Sequence, residues 1–194
     1  LDVLTLIQQA EAGFNDELTE DDVSAQLMRY FFERLRGYAF DKGVKADVFE
    51  SILAVQATKP LDFMQRLTAV TAFRQLEQAE ALAAGNKRIA NILRKNDVED
   101  DAGAIDVSLL TEPAEKALAE KLTQLGDTIQ PLIAQADYAA VLTKLADMRD
   151  TVDGFFESVM VMADDDAVRH NRLALLNQTR ALFLGVADIS CLQN

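Results

Sequence analysis

Two short stretches combine charged and amide side chains at a spacing that suits the binding of an anionic ligand. Residues 164–172, DDDAVRHNR, place three acids before Arg169, Asn171 and Arg172. Residues 86–96, NKRIANILRKN, interleave bases and amides with apolar positions. Guanidinium and ammonium groups bind phosphates, and an amide can both donate to and accept from the edge of a base. These stretches are therefore the candidates for nucleic-acid recognition.

The second stretch has a clear helical pattern. Lys87 and Asn91 lie one turn apart, and Arg94 or Lys95 continues the same face, while Arg88 neighbours Asn91 at a spacing of three. The opposite face is apolar: Ile89, Ile92 and Leu93. Two interpretations remain open at this point. The polar face binds a phosphate backbone and base edges, or it is a solvated face whose bases pair with nearby acids.

The stretch 164–172 has the same ambiguity. Its acids, 164–166, precede a helical pattern, where carboxylates accept from free N–H groups and favour the positive end of the helix dipole. A magnesium site is the alternative, but consecutive acids at such a position are more often helix caps. Arg169 and Arg172 are one turn apart and flank an apolar stripe. They either cover apolar surface and pair with carboxylates, or they bind the ligand.

Other catalytic chemistry is missing from the sequence. The chain has one His and one Cys, whereas a metal site built from these residue types needs several of them. His170 has no nucleophile signature beside it, and no Gly-rich phosphate loop occurs. We therefore expect neither a catalytic site nor a metal site within this chain. The single Cys191 fits a reducing cytoplasm.

The ends and the hydropathy of the chain give further expectations. No apolar run is long enough to span a bilayer, so we expect no membrane association. The first residues, LDVLTLIQQ, lack the basic segment of a signal peptide. They also lack an initiator Met, which suggests a piece of a longer polypeptide.

The net charge of −13 argues at first against a nucleic-acid partner, because phosphate contacts require Lys and Arg. The charge is unevenly distributed, however. Residues 25–95 carry twelve Lys or Arg against seven Asp or Glu, and the segments on either side are strongly acidic. Since the local field decides where a polyanion binds, the middle segment remains able to bind one.

Successive amphipathic helices account for most of the chain. Ala and Leu are abundant, Gly and Pro are scarce, and no segment alternates apolar and polar residues as a strand would. Thr19 and Asp22 resemble a capping box, Thr111 can cap a later helix, Gly85 predicts a kink or break, and Pro131 predicts a kink or an end. The sequence predicts an all-α fold with a polar linker at 97–106 and with helices over 2–13, 19–41, 45–57, 60–84, 86–96, 112–134, 138–160 and 165–186.

Several motifs resemble a known family. DAVR, 166–169, is similar to the DALR signature of an anticodon-binding domain, with Val168 in place of Leu. From about residue 29 to its end, the chain resembles the C-terminal part of the beta-subunit family of bacterial glycyl-tRNA synthetases. The matching segments are RYFFERLRGYAFDKG (29–43), ALAAGNKRIANIL (81–93), FFESVMVMADDDAVRHNRLALL (155–176) and ALFLGVADIS (181–190). One departure is Gly185, where a basic residue is expected.

The resemblance implies a helical bundle of the DALR anticodon-binding type over 75–194, preceded by additional helices over 1–74. It implies binding of the anticodon arm of glycine tRNA, in a tetramer of two alpha and two beta subunits. The alpha subunit would activate glycine with ATP and Mg, so no cofactor is expected in this chain. Neither a membrane nor DNA is an expected partner. The expected tRNA-binding residues are Lys87, Arg88, Asn91, Lys95, Arg169, Asn171 and Arg172.

Two alternatives remain at this stage. The acidic faces of the helices suit a protein-interaction module that binds a basic partner. The C-terminal domain of an arginyl-type synthetase also carries DALR elements, but segment 29–43 matches the glycyl pattern better.

Overall fold

The computed structural model describes residues 1–14, 22–98 and 103–192, and all regular structure within them is helical. Nine α-helices are present in these residues: α1 Val3–Gly13, α2 Val23–Asp41, α3 Ala46–Leu53, α4 Pro60–Phe73, α5 Ala79–Lys95, α6 Pro113–Ala134, α7 Tyr138–Ala146, α8 Arg149–Ser158 and α9 Asp166–Leu184. Two short 3-10 turns, Val107–Leu109 and Ile189–Cys191, complete them. The all-α prediction is confirmed.

One hydrophobic core runs through the described residues. Helix α4 packs on α7, while α5 packs on α8, α9 and the turn Ile189–Cys191. The largest fully buried side chains come from four helices, α3, α4, α8 and α9: Phe49, Phe63, Phe73, Phe155 and Phe183. Residues before and after position 74 contribute to this same core. The division into 1–74 and 75–194 stays a prediction, and it does not separate two cores.

A polar contact at Arg66 joins α4 to the end of α9. Arg66 Nη1 donates to the carbonyl oxygens of Gly185 at 2.9 Å and Val186 at 2.6 Å. Its Nη2 donates to Tyr138 Oη at 2.9 Å, and Asp62 accepts from both Arg66 and Tyr138. Because backbone carbonyls at a helix C-terminus lack intrahelical donors, this guanidinium satisfies them and fixes the last turn of α9.

The predicted break at Gly85 is wrong, because Gly85 lies inside the continuous helix α5. A Cβ atom at Gly85 would lie 3.3 Å from Cγ1 of Val152, so the residue lets α5 approach α8 closely. The predicted helix over 60–84 is instead two helices, which meet at a turn over 74–78. The segment predicted as helix 138–160 likewise turns between α7 and α8. Neither turn contains Gly or Pro, so breaker residues gave no signal.

Two predicted boundaries also change. Helix α6 continues past Pro131 to Ala134, so this proline sits within the last turn rather than ending the helix. The residue that caps α6 is Glu112 rather than Thr111, whose backbone N–H donates to the Glu115 carboxylate instead. The capping residue proposed at Thr19 lies outside the described residues.

The apolar residues of α2 that recur with the helical period do not all face the core: Val23, Leu27, Tyr30, Phe31, Leu35 and Tyr38. Val23, Phe31 and Leu35 are half-buried. Leu27, Tyr30 and Tyr38 belong to that pattern, and all three are exposed. Met28 and Ala39 are buried instead. The helix carries two apolar stripes, and periodicity alone does not decide which of them packs.

Candidate nucleic-acid interface

Helix α5 presents the basic face that its sequence predicted. Ile89 and Leu93 are buried, whereas Lys87 and Asn91 on the other side are exposed. Around the helix axis, at about 100° per residue, the polar residues follow one another in the order Arg94, Lys87, Asn91, Lys95 and Arg88. Together they cover an arc of about 120°. The helix carries four bases and one acid, Glu80, in a chain whose net charge is −13. Positive charge is therefore concentrated on this face.

A groove of about 480 Å³ runs between α5, α9 and the turn Ile189–Cys191. Its α5 wall carries Lys87, Asn91 and Arg94. Its α9 wall carries Asn177 and Arg180. Ala90, Leu93 and Val98 add apolar surface to the lining. The groove thus offers cations for phosphates, amides for base edges and an apolar surface for base rings.

The far wall of the groove is fixed by hydrogen bonds. Arg180 Nη2 donates to Asp188 Oδ2 at 2.7 Å, which links α9 to the following turn. Asp188 Oδ1 accepts from Ser190 through its backbone N–H at 3.1 Å and its hydroxyl at 2.6 Å. The backbone N–H of Asp188 donates to the carbonyl oxygen of Ser51 at 2.8 Å, which ties the turn to α3. Arg180 is therefore held in one orientation at the groove.

The other two bases of α5, Arg88 and Lys95, are not part of the groove lining. Arg88 faces α8, where its guanidinium carbon lies 4.1 Å from the centroid of the Phe156 ring. Lys95 is the last residue of α5 and is exposed. Within the described ranges, the side chains of Lys87 and Lys95 form no hydrogen bond or salt bridge. Their ammonium groups are free of partners there, which favours the binding interpretation over internal pairing.

The residues around 166–169 make a helix start. Asp165 accepts from the backbone N–H groups of Ala167 at 2.9 Å and Val168 at 3.0 Å, which confirms the capping interpretation. Arg169 pairs with Asp166 and donates to the carbonyl oxygen of Ala163 at 2.7 Å. The motif DAVR thus closes the first turn of α9 on itself, and Arg169 is mostly engaged in that closure.

Asn171 has an internal role. The residue is only 6% exposed. The backbone N–H of Asp106 donates to Asn171 Oδ1 at 2.8 Å, and Asn171 Nδ2 donates back to the carbonyl oxygen of Asp106 at 2.9 Å. This reciprocal pair attaches the end of the polar linker to α9. The structure places the Asn171 amide away from solvent and outside the groove lining.

Arg172 is also internal, in a buried ion pair with Glu115 of α6. Glu115 is 0% exposed and Arg172 is 8% exposed. Arg172 Nε donates to the Glu115 carboxylate, and Arg172 Nη1 donates to the carbonyl oxygen of Met160 at 2.8 Å. Glu115 also accepts from the backbone N–H groups of Thr111 at 2.7 Å and Glu112 at 2.8 Å. Arg172 therefore anchors α9 to α6 instead of lining a groove.

The electrostatics of Glu115 agree with this structural role. Burial alone would raise the pKa of a carboxyl, because it disfavours the charged form. The backbone N–H of Glu112 and the guanidinium of Arg172 outweigh burial and hold the pKa of Glu115 below its ordinary value. The ionised pair is thus the stable state at neutral pH.

Gly185, which departs from the expected basic residue, lies in a packed position. A Cβ atom there would lie 3.2 Å from Cδ1 of Ile133, which would have to move. Its carbonyl oxygen accepts from Arg66. This residue belongs to the junction of α9 with α4 and α6.

Lys87 and Asn91, which the sequence predicted as binding residues, line the groove. Asn177 and Arg180 of the α9 wall were not among the predicted residues. Asn177 and Arg180 lie about two turns along α9 from Asn171 and Arg172, respectively. Their signal was weak, because an arginine beside an apolar stripe also suits a surface ion pair. Within the described residues no cluster of His, Cys, Asp or Glu suits a metal ion, and no helix has the length and hydropathy to cross a bilayer.

The chain is similar to known proteins along its whole length. A family model described as the DALR anticodon binding domain matches residues 82–189, which include both walls of the groove. Three relatives are each named glycine–tRNA ligase beta subunit: that of Pseudoalteromonas translucida is 48% identical, that of Haemophilus influenzae 50% and that of Shewanella pealeana 51%. Each similarity covers 100% of this chain and 28% of the relative. The chain therefore spans between a quarter and a third of the length of these relatives.

Proposed function

The chain belongs to the DALR anticodon-binding domain family, and from this premise we propose that the groove between α5 and α9 binds the anticodon arm of a tRNA. The observation that carries the proposal is the groove itself. It combines the unpaired ammonium of Lys87 with Arg94, Arg180 and the amides of Asn91 and Asn177. Such a lining suits an unpaired RNA loop, whose phosphates and base edges are both accessible.

Glycine tRNA is the proposed ligand. This proposal is supported by the names of relatives that are 48–51% identical over the entire chain. The chain then acts as part of a glycine–tRNA ligase beta subunit in the cytoplasm, together with an alpha subunit in a tetramer of two alpha and two beta subunits. In this proposal the alpha subunit holds ATP and Mg and activates glycine, and this chain contributes tRNA binding.

Charged and amide side chains in and beside the groove would have different roles in recognition. Lys87, Arg94 and Lys95 would neutralise phosphates and supply most of the affinity, with the salt dependence that counterion release produces. Asn91 and Asn177 would contact base edges, since an amide offers both a donor and an acceptor. The acidic remainder of the chain would repel RNA and confine it to this face.

The test is a charge reversal of both α5 residues in the groove, Lys87→Glu with Arg94→Glu, in the intact ligase. Both side chains are exposed, so the fold should be little affected. Affinity for glycine tRNA should fall by about tenfold or more for each contact, since hydrogen bonds to charged groups contribute about 1.5–3 kcal/mol. The log–log salt slope should flatten by roughly 0.7 per lost contact.

A matched control separates local contact from overall charge. Lys116 of α6 and Lys144 of α7 are exposed and lie outside the groove. Lys116→Glu with Lys144→Glu changes the net charge by the same amount and should leave affinity near that of the parent. Equal losses in the two double variants would show that the groove is not the binding site.

A further inference from the structure

The guanidinium of Arg88 is held by an aromatic ring instead of a carboxylate. Its central carbon lies 4.1 Å from the centroid of Phe156 on α8. Arg88 is exposed, and Phe156 is half-buried and packs against the core. The ring is therefore fixed from behind by the core while its cationic partner remains open to solvent.

Other arginines near the candidate interface are held differently. Arg169, Arg172 and Arg180 each pair with a carboxylate. Arg94 donates to Asn91 Oδ1 at 3.1 Å. Within residues 1–14, 22–98 and 103–192, the side chain of Arg88 forms neither a hydrogen bond nor a salt bridge. All five N–H donors of its fork are therefore without a partner in this part of the chain, and the residue is exposed.

A guanidinium in this state has a specific use in RNA binding. Contact with a ring restricts the side chain and orients its plane, which lowers the conformational entropy lost when a ligand binds. An unpaired base stacks on the face of an arginine much as it stacks on an aromatic ring. The core-supported ring, the guanidinium and a base would then form a three-layer stack.

We propose that Arg88 is a stacking platform for one unpaired base of the bound RNA, and that Phe156 is the residue that positions it. The proposal rests on the proposed function of the adjacent groove and assigns Arg88 a different role from Lys87. Lys87 faces the groove and suits a phosphate, whereas Arg88 faces α8 and presents a plane. Phe156 acts through Arg88 and does not itself contact the RNA.

Replacing Arg88 by lysine separates the effect of the planar guanidinium from the effect of its positive charge. Arg88→Lys keeps the charge and removes the flat face, so affinity of the intact ligase for glycine tRNA should fall about tenfold, the order found for base stacking. Because the number of charges is unchanged, the salt slope should remain that of the parent. Arg34→Lys on α2 is the matched control, because the guanidinium of Arg34 also lies over an aromatic ring, that of Tyr30 at 4.9 Å, and is outside the groove. We expect this variant to bind nearly as tightly as the parent.

Two variants test Phe156 as a positioning residue. Phe156→Leu removes the ring and should lower affinity by a similar factor, again without changing the salt slope. Phe156→Tyr retains the ring and should bind tRNA as tightly as the parent does. A melting curve for each variant verifies that the core is intact, and the exposed Arg88→Lys variant gives an answer even if Phe156→Leu is unstable.

The base partner is identified with glycine tRNA transcripts that carry one abasic site at a time in the anticodon loop. At one position, removing the base should abolish the difference between the parent and Arg88→Lys. The proposal is overturned if Arg88→Lys loses no more affinity than Arg34→Lys, or if no abasic position removes the difference. If Lys87→Glu with Arg94→Glu still lowers affinity in that case, only the stacking role fails. If that double variant also binds normally, the proposed function itself fails.

Discussion

The buried pair of Glu115 and Arg172 gives a quantitative prediction about stability. Glu115→Gln removes the negative charge while leaving a side chain of nearly the same size in place. Arg172 is 8% exposed and would retain only uncharged partners, the Met160 carbonyl and the amide oxygen of Gln. Two backbone N–H groups, of Thr111 and Glu112, now donate to the carboxylate, and the amide nitrogen of Gln cannot accept from them.

The magnitude follows from burial. Breaking a buried ion pair by removing one partner costs about 3–5 kcal/mol, because the other charge stays buried without compensation. For a chain of this length, each kcal/mol lowers the melting temperature by about 2–4 °C. Glu115→Gln should therefore lower the melting temperature by roughly 6–20 °C at neutral pH.

Acid should produce the same loss in the parent protein. The folded pKa of Glu115 lies below its ordinary value of 4.5. Its contribution to stability is therefore fully present above about pH 4.5 and is lost as the pH falls through the lower folded pKa. The melting temperature of Glu115→Gln should accordingly approach that of the parent as the medium is acidified, because the parent loses a contribution that the variant already lacks.

Thermal unfolding followed by circular dichroism, from about pH 7 to about pH 3, measures both effects. Glu120→Gln is the control, since Glu120 is exposed on the same helix and should shift the melting temperature little. A shift for Glu115→Gln no larger than that of Glu120→Gln would refute the structural role of the pair. Replacing both partners, with Glu115→Gln and Arg172→Met, should cost less than breaking the pair, because no buried charge is left.

Two further predictions concern other buried titratable groups. Burial, followed by the hydrogen bond to Asp62, raises the pKa of Tyr138, so its stabilising contribution is present below pH 10.0 and lost as the pH rises through the folded pKa. An ultraviolet difference titration of the parent against Tyr138→Phe should show this late ionisation, and ionisation at the ordinary value would contradict it. Burial also raises the pKa of the Cys191 thiol, so a thiol-specific reagent at about pH 8 should react slowly until urea unfolds the chain. Equal rates in the two states would show that the thiol is accessible.

The sequence predicted helix type well and helix orientation less well. Periodicity located α5 and its buried residues, Ile89 and Leu93, because that helix has a single apolar stripe and a charged opposite face. Helix α2 has two stripes, and its Tyr30 and Tyr38 are exposed in the structure. Which stripe packs depends on where α1 and α3 lie, and the sequence of α2 carries no information about that.

Breaks between helices had equally weak local signals. The turns over 74–78 and between α7 and α8 contain neither Gly nor Pro. Gly85, which resembled a breaker, is inside a helix because Val152 of α8 packs directly against it. In each case tertiary packing overrides the local propensity, which amounts to only about 1 kcal/mol for a glycine.

The same contrast between local sequence pattern and tertiary packing applies to the candidate site. Lys87 and Asn91 were found because they are the polar side of a clearly amphipathic helix. Asn171 and Arg172 were expected on the surface because their residue types are polar, yet α9 is packed on several sides between residues 171 and 176. Their partners, Asp106 and Glu115, are 65 and 57 residues away in sequence, so no local pattern could reveal the pairing.

The two polar stretches thus play different physical roles despite their similar composition. In 86–96 the bases project into solvent while apolar residues anchor the helix, so substitutions there should alter affinity before stability. In 164–172 the acids cap α9, and Arg169 closes its first turn. Arg172 makes a buried ion pair, which costs several kcal/mol to break. Substitutions at 172 should therefore lower stability first, and any loss of tRNA binding should follow the loss of the fold rather than precede it.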